Sequence, residues 1–166
     1  MSPLLLLLQG AVLAYALVAG VFLAFSDFIM RSLSRTGGSG GVEAMQIINR
    51  EVFRWVFMTL FLGLAVASLG IAAYGGIAVR GGPGTLMTLA GLVYLFGCFG
   101  VTLFFNVPMN EALARMSAAE DATCAYWTGT YLPRWTFWNT FRTLACVVSA
   151  ALLLVALPAL APPSVP

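Results

Sequence analysis

Four long apolar runs constrain the fold more than any other feature of the sequence. They cover about residues 3–33, 52–79, 85–107 and 133–158. Each is long enough to cross the roughly 30 Å hydrocarbon core of a bilayer as a helix. The alternating ten-residue segments of a membrane β-barrel do not occur. We therefore predict an all-α integral membrane protein, a four-helix transmembrane bundle formed by a single domain at 1–158, with a disordered tail at 159–166.

Composition supports a membrane protein. The chain is 61% hydrophobic and only 8% charged, whereas soluble domains contain about 25% charged residues. The first run lacks a preceding basic segment and is too long for a signal peptide. The net charge of +2 comes from eight arginines with no lysine, which is too little to suggest nucleic-acid binding.

The connections between the runs predict the topology. Two of the three are long, and we expect an interfacial helix in each, near residues 42–51 and 111–131. An even number of spans places both termini on one side and both long connections on the other. The arginines favour the long connections, so the positive-inside rule predicts that these are cytoplasmic, in a bacterial inner membrane. The arginines concerned are Arg31, Arg35, Arg50, Arg54, Arg115 and Arg134, against Arg80 alone in the short turn.

Polar side chains gather at the four helix ends that lie on the side of the long connections. An arginine within a span costs roughly 2.5–3.5 kcal/mol on insertion scales, so Arg142 needs a stabilising environment. In one interpretation Arg142 reaches the interface, the asparagines tie helix ends together and the tryptophans are interfacial anchors. In the other, these groups line a pocket for a small apolar aromatic or lipid-like ligand. The residues are Ser26, Asp27, Gln46, Asn49, Asn106, Asn110, Trp135, Trp138, Asn139 and Arg142.

Metal and redox cofactors have few candidate ligands in this sequence. There is no histidine, the commonest metal ligand. Cys98, Cys124 and Cys146 are isolated, without a CxxC pair. We therefore predict no metal site and no bound cofactor.

Three segments resemble the anthrone oxygenase-like family of four-span membrane proteins: "GVEAMQIINREVF", "FFNVPMNEAL" and "YLPRWTFWNTFRTLA". Their order and spacing match the family pattern, and the resemblance extends from about Gly20 to Leu154. Matching the family motif residue by residue indicates Asn49, Asn106, Pro108, Asn110, Trp138, Asn139 and Arg142.

The resemblance implies oxidation of a flat hydroxylated aromatic substrate, anthrone- or quinol-like, by O2 without metal or flavin. Deprotonation would give an electron-rich anion that reacts directly with O2, so the protein would need an oxyanion site and a base. Under this hypothesis Asn106, Asn110, Asn139 and Arg142 hold the enolate. The base would be Asp27, Glu51 or Glu111. The substrate-binding residues would be Asn49, Trp135, Trp138, Phe105 and Asp27, with Phe104 as a further stacking ring.

A second hypothesis fits the same pocket. A non-catalytic membrane protein, for example an accessory subunit of a larger complex, would bind a lipid or quinone without turnover. Four spans with no sign of an inverted repeat argue against a transporter. The sequence is compatible with assembly into a homo-oligomer.

Overall fold

The computed structural model describes residues 2–160, which form five helices joined by short connections. Four are long and apolar enough to cross a membrane: α1 (Pro3–Leu33), α3 (Trp55–Ile77), α4 (Gly82–Ala114) and α5 (Asp121–Leu160). Helix α2 (Gly40–Glu51) lies in the connection between α1 and α3. Residues 2–160 contain no strand. The predicted all-α, four-span architecture is confirmed, and the protein is an integral membrane protein.

The spanning helices pack in a ring. Helix α5 packs along both α1 and α4, and α3 packs along α4, whereas α1 and α3 touch less extensively. The outer surface carries many large apolar side chains, as expected where helices face the hydrocarbon of a bilayer. Examples from the four spans are Leu13, Val66, Phe96 and Val155.

Hydroxyl groups inside the bundle are paired across helices. Tyr15 and Ser68 share a hydrogen bond of 2.6 Å between their hydroxyl oxygens, and the Tyr94 hydroxyl donates to the Phe61 carbonyl at 2.8 Å. These pairs join α1 and α4 to α3. Gly91 lets α3 and α4 approach closely, because a β-carbon there would collide with the Ser68 carbonyl oxygen.

Of the two helices predicted in the long connections, one is observed as a separate helix and the other is not. The first, predicted at 42–51, is observed as α2. The second, predicted at 111–131, is divided between the last turns of α4 and the first turns of α5, with a break at 115–120. The spanning helices therefore extend beyond their apolar runs, because helical hydrogen bonding continues into the polar segments on both sides of the break.

Helix α2 holds the end of α4. The Gln46 side-chain amide donates to the carbonyls of Leu113 and Met116, at 2.9 and 3.0 Å. The Thr123 hydroxyl donates to the Ser117 carbonyl at 2.7 Å. The carbonyls of Leu113 and Ser117 also accept from the backbone N–H groups of Met116 and Glu120, each at 3.2 Å. The side-chain bonds therefore add to the backbone bonds that close the turn at the end of α4.

The carboxyl-terminal boundary corrects one prediction. Helix α5 continues through Pro158 to Leu160, so the predicted tail at 159–166 begins two residues too early. A proline removes one backbone donor and crowds the preceding turn, but the residues after it can remain helical. The other predicted tail residues, 161–166, lie outside the described part of the chain.

Wider π-helical turns interrupt three of the four spanning helices, and three of these four segments lie near the polar end. They lie at Phe25–Ile29 in α1, at Val93–Gly100 and Thr102–Asn106 in α4, and at Trp127–Tyr131 in α5. The second of the α4 segments ends just before Pro108. A wider turn accommodates the proline ring and its missing N–H, so α4 stays continuous through Pro108.

Candidate functional site

A cavity of about 410 Å³ lies at the polar end of the bundle. All four spanning helices line it, and α2 and the connection after it border its outer end. Apolar and aromatic side chains form most of its wall, as is typical of pockets for small flat ligands. The rings are those of Phe22, Phe25, Phe53, Phe57, Phe61, Phe99 and Trp135.

Five polar side chains reach the cavity wall. Asn49 comes from α2, Arg142 from α5, and the other three from α4. A few polar groups in an apolar wall fix the orientation of a ligand rather than supply most of its binding free energy. The α4 residues are Thr102, Asn110 and Glu111.

Arg142 is the buried member of the eight arginines, with 5% of its surface exposed. Its guanidinium donates to the Asn139 side-chain oxygen at 2.6 Å and to the Thr102 hydroxyl at 3.1 Å. Its central carbon lies 4.1 Å from the centroid of the Phe22 ring. Arg142 belongs to neither of the two ion pairs found within residues 2–160.

The charge of Arg142 is therefore compensated only by neutral dipoles and ring faces. Its Nε–H has no hydrogen-bond partner within residues 2–160. A buried cation without a counter-ion is costly, and an anion placed beside it recovers part of that cost. This arrangement favours a ligand with a negatively charged oxygen in the cavity.

Asn139 is fully buried and holds Arg142 against α1. Its side-chain N–H groups donate to the Phe22 carbonyl at 2.6 Å and to the Ser26 hydroxyl at 2.7 Å, while its oxygen accepts from Arg142. Asn139 does not line the cavity. Its contacts are those of a residue that positions the guanidinium.

Asn110 organises a second set of hydrogen bonds. Its oxygen accepts from the Tyr131 hydroxyl at 2.7 Å and from the Trp135 indole N–H at 2.8 Å. Asn49 donates to the Tyr131 hydroxyl at 3.3 Å. Side chains from α2, α4 and α5 thus meet at one point of the cavity wall.

The two groups of polar residues meet at Trp135 and do not bond directly. Asn106, also buried, donates to the Trp135 carbonyl at 3.3 Å, and its own oxygen has no partner within residues 2–160. The Trp135 ring centroid lies 5.5 Å from the Arg142 guanidinium carbon. Asn106 and Asn110 make no hydrogen bond to Arg142, so the predicted cluster is two adjoining networks.

Three predicted substrate-binding residues lie outside the cavity wall. Phe105 and Trp138 stack on each other, with ring centroids 3.8 Å apart, and neither lines the cavity. Asp27 is exposed and also absent from the wall. Of the predicted substrate-binding set, only Asn49 and Trp135 border the cavity.

The three candidate bases are also separated. Glu111 borders the cavity and pairs with Arg115 at 3.5 Å. Glu51 pairs with Arg54 at 2.6 Å and does not border the cavity. Among Asp27, Glu51 and Glu111, only Glu111 has access to a ligand there.

Tyr131, Thr102 and Phe22 were not singled out from the sequence. Tyr131 precedes Trp135 by four residues, and Thr102 precedes Asn106 by four, so extending each polar stripe by one helical turn would have found them. Phe22 gave no such signal, because an aromatic residue within an apolar span is indistinguishable from a packing residue.

Within residues 2–160, no three His, Cys, Asp or Glu side chains converge in a way that could hold a metal ion. The cavity instead combines flat apolar walls with one fixed cation and several amide and hydroxyl groups. Such a site can bind a planar molecule and stabilise a negative charge on one of its oxygens.

Comparison with curated proteins and with solved structures finds no match. Residues 45–152, well over half of the chain, match the family model described as Anthrone oxygenase. The matched region includes more than half of α2, all of α3 and α4, and most of α5. It therefore contains both polar networks apart from their contacts to α1. This finding confirms the resemblance seen in the sequence, and the chain belongs to the anthrone oxygenase family.

Proposed function

We propose that this protein is a membrane-embedded oxygenase that oxidises a flat hydroxylated aromatic molecule, anthrone- or quinol-like, with O2 and without a resident metal or flavin. Family membership supports oxygenase-type chemistry. One observation supports the substrate class: Arg142 is a buried cation that borders an aromatic-walled cavity and has no anionic partner within residues 2–160.

The proposed reaction needs a substrate anion. Loss of an acidic hydrogen from the CH2 group of a hydroxylated anthrone gives an anion whose charge is shared by that ring carbon and the carbonyl oxygen. Arg142 would hold that oxygen, and Phe22 and Trp135 would border the ring. O2 then reacts at the electron-rich ring carbon. Overall the CH2 carbon loses two hydrogens and gains a carbonyl oxygen, and the second oxygen atom leaves as water.

Each polar residue has a distinct role in this proposal. Arg142 stabilises the oxyanion, where charge increases on deprotonation. Asn110 and Asn49 bind further substrate oxygens from the cavity wall. Asn139 and Asn106 act as positioning residues through their bonds to Arg142 and Trp135.

Glu111 is the proposed base. It borders the cavity, and 61% of its side chain is exposed, paired with Arg115. A carboxylate in that position can take a proton from a bound substrate and pass it to water. Asp27 and Glu51 do not border the cavity and are not part of this proposal.

The proposal extends to orientation and partners. Six exposed arginines flank the polar end and the exposed Arg80 lies at the opposite end, which supports a cytoplasmic polar end in a bacterial inner membrane. An apolar substrate would then reach the cavity from the bilayer itself.

The test is turnover by the purified protein in lipid nanodiscs. A hydroxylated anthrone is supplied with O2, a metal chelator is present and flavin is omitted, and both O2 uptake and quinone absorbance are followed. We expect turnover, and we expect Arg142→Gln to lower kcat/KM by about 10²–10³, as loss of one oxyanion donor typically does. Arg80→Gln, at the opposite end, is the matched control and should retain full activity.

Two outcomes contradict the proposal. One is wild-type protein that binds a quinone or lipid tightly and never consumes O2, which favours a binding protein. The other is Arg142→Gln protein with wild-type activity. Arg142→Lys keeps the positive charge but not the planar guanidinium group. If the loss of activity in Arg142→Gln reflects loss of the anion site rather than misfolding, a folded Arg142→Lys protein should retain part of the activity.

A further inference from the structure

Two buried thiols face each other across the packed surfaces of α4 and α5. Cys98 and Cys146 are both fully buried, and the Cys146 thiol donates to the Cys98 sulfur at 3.4 Å. Both are free thiols. Neither has a role in the oxygenase chemistry proposed above, so their pairing needs a separate account.

The two helix backbones approach each other closely next to this pair. At the neighbouring positions, a β-carbon added to Gly97 would lie 2.8 Å from that of Ala145, so only glycine permits the observed approach. A disulfide has a sulfur–sulfur length of about 2.05 Å. From 3.4 Å, the sulfurs need to approach by roughly 1.4 Å to form the bond, through rotation of the two side chains toward each other.

The thiols lie about one helical turn from the cavity. Cys98 precedes Thr102 by four residues, and Cys146 follows Arg142 by four. Thr102 and Arg142 both border the cavity and are hydrogen-bonded to each other at 3.1 Å. The rise of one turn is about 5.4 Å, so a small neutral molecule in the cavity is within a short distance of both sulfurs.

We propose that Cys98 and Cys146 form an oxidisable dithiol that converts reversibly to an intramembrane disulfide, with hydrogen peroxide as the oxidant. The sulfur of one thiol attacks the peroxide and the O–O bond breaks. The departing hydroxide takes the proton of that thiol, so a sulfenic acid and one water form. The second thiol displaces the sulfenic oxygen, which leaves as a second water, and the S–S bond forms. Two electrons pass from the sulfur pair to the peroxide, and the atoms balance as two thiols and one peroxide giving one disulfide and two waters.

Peroxide suits this location by size and charge. It is neutral and close to water in size, so it can enter a membrane protein interior that excludes charged oxidants. A site that activates O2 one turn away would release peroxide beside the thiols whenever an oxidation is interrupted; this source alone rests on the proposed function. The disulfide would tie α4 to α5 directly next to the Thr102–Arg142 hydrogen bond and fix that part of the cavity wall.

The test needs no substrate, so its result is independent of the oxygenase proposal. Reduced protein in nanodiscs is treated with hydrogen peroxide, denatured, labelled with N-ethylmaleimide and analysed by intact mass and peptide mapping. We expect the loss of two hydrogen atoms, protection of Cys98 and Cys146 from labelling, and recovery of both thiols after dithiothreitol. Cys124, which is exposed and far from the pair in the sequence, should not join this bond.

Two variants make the test sharper. Cys124→Ser should form the same disulfide and leave no thiol to label after oxidation. Cys146→Ser should form none, and its Cys98 should instead be trapped as a sulfenic acid by dimedone. The proposal is overturned if Cys98 and Cys146 in the wild type stay fully labelled after peroxide, or if the bond that forms joins Cys124 residues of two chains.

Discussion

Replacing Asn139 with alanine removes three hydrogen bonds from the interior of the bundle in one step. Two run from the asparagine amide to α1, to the Phe22 carbonyl at 2.6 Å and the Ser26 hydroxyl at 2.7 Å. The third is accepted from Arg142 at 2.6 Å. Because Asn139 is fully buried, water cannot replace these contacts without entering the bundle.

The expected cost follows from the kinds of bond lost. In membrane bundles, interhelical hydrogen bonds contribute about 0.6 kcal/mol on average and up to about 1.7 kcal/mol. Each of the two bonds to α1 is given the average contribution, and the bond from the charged Arg142 is given the upper value. We therefore expect Asn139→Ala to lower the free energy of unfolding by about 3 kcal/mol.

The assay is reversible unfolding in mixed detergent micelles of increasing dodecyl sulfate fraction, followed by circular dichroism. Asn139→Asp is an informative companion, because it keeps an acceptor for Arg142 and loses both donors to α1, so its cost should be smaller. Thr85→Ala is the matched control. The Thr85 hydroxyl is exposed and makes one long bond of 3.4 Å to the Gly81 carbonyl, and its loss should cost less than about 0.5 kcal/mol.

A result that puts Asn139→Ala within error of Thr85→Ala would refute the reasoning. It would mean that the contacts of Asn139 are replaced by others in the unfolded state within the micelle.

Three further predictions concern the helix contacts. Gly91→Ala should lower the free energy of unfolding by about 1–3 kcal/mol, because its β-carbon meets the Ser68 carbonyl. Gly63→Ala, with open space around the added β-carbon, should be neutral or stabilising. Equal effects of the two substitutions would contradict the close approach of α3 and α4 at Gly91. Tyr15→Phe should cost about 1 kcal/mol, and a double-mutant cycle with Ser68→Ala should show that the two losses are not additive, since they share one hydrogen bond. Gln46→Ala should speed amide hydrogen exchange at the end of α4 and in the turn that follows it, where the carbonyls of Leu113 and Met116 lose a side-chain donor. The middle of α4 should be unchanged, and unchanged exchange at the end of α4 as well would count against this cap.

The sequence was sufficient to predict the spans and the polar end. Apolar runs of this length report directly on burial in a bilayer, because any unpaired polar or charged group in hydrocarbon is costly. The same cost singled out Arg142 and the asparagines before any contact was known. An even number of spans then placed Ser26, Asn49, Asn106 and Asn139 at one end of the molecule, where the structure has them.

The sequence could not predict which face of each helix points into the bundle. In a soluble helix an apolar stripe marks the core, but here lipid and core are both apolar and the stripe disappears. Trp135 and Trp138 are separated by less than one turn, yet Trp135 borders the cavity and Trp138 stacks on Phe105 outside it. The π-helical turn at Thr102–Asn106 also shifts the phase of α4, so the direction of the Phe105 ring does not follow from ordinary 3.6-residue spacing.

Only the tertiary structure decided the partners of the polar groups. Asn139 bonds to α1 across more than a hundred residues of chain, and Asn110 meets Tyr131 and Trp135 from another helix. Such pairs depend on how far apart two helix axes lie and how each is rotated, and these quantities follow from packing along the full length of the bundle. Arg142 shows both contributions. The sequence placed it within a span, whereas its lack of an anionic partner in residues 2–160 follows from the packing of the helices around it.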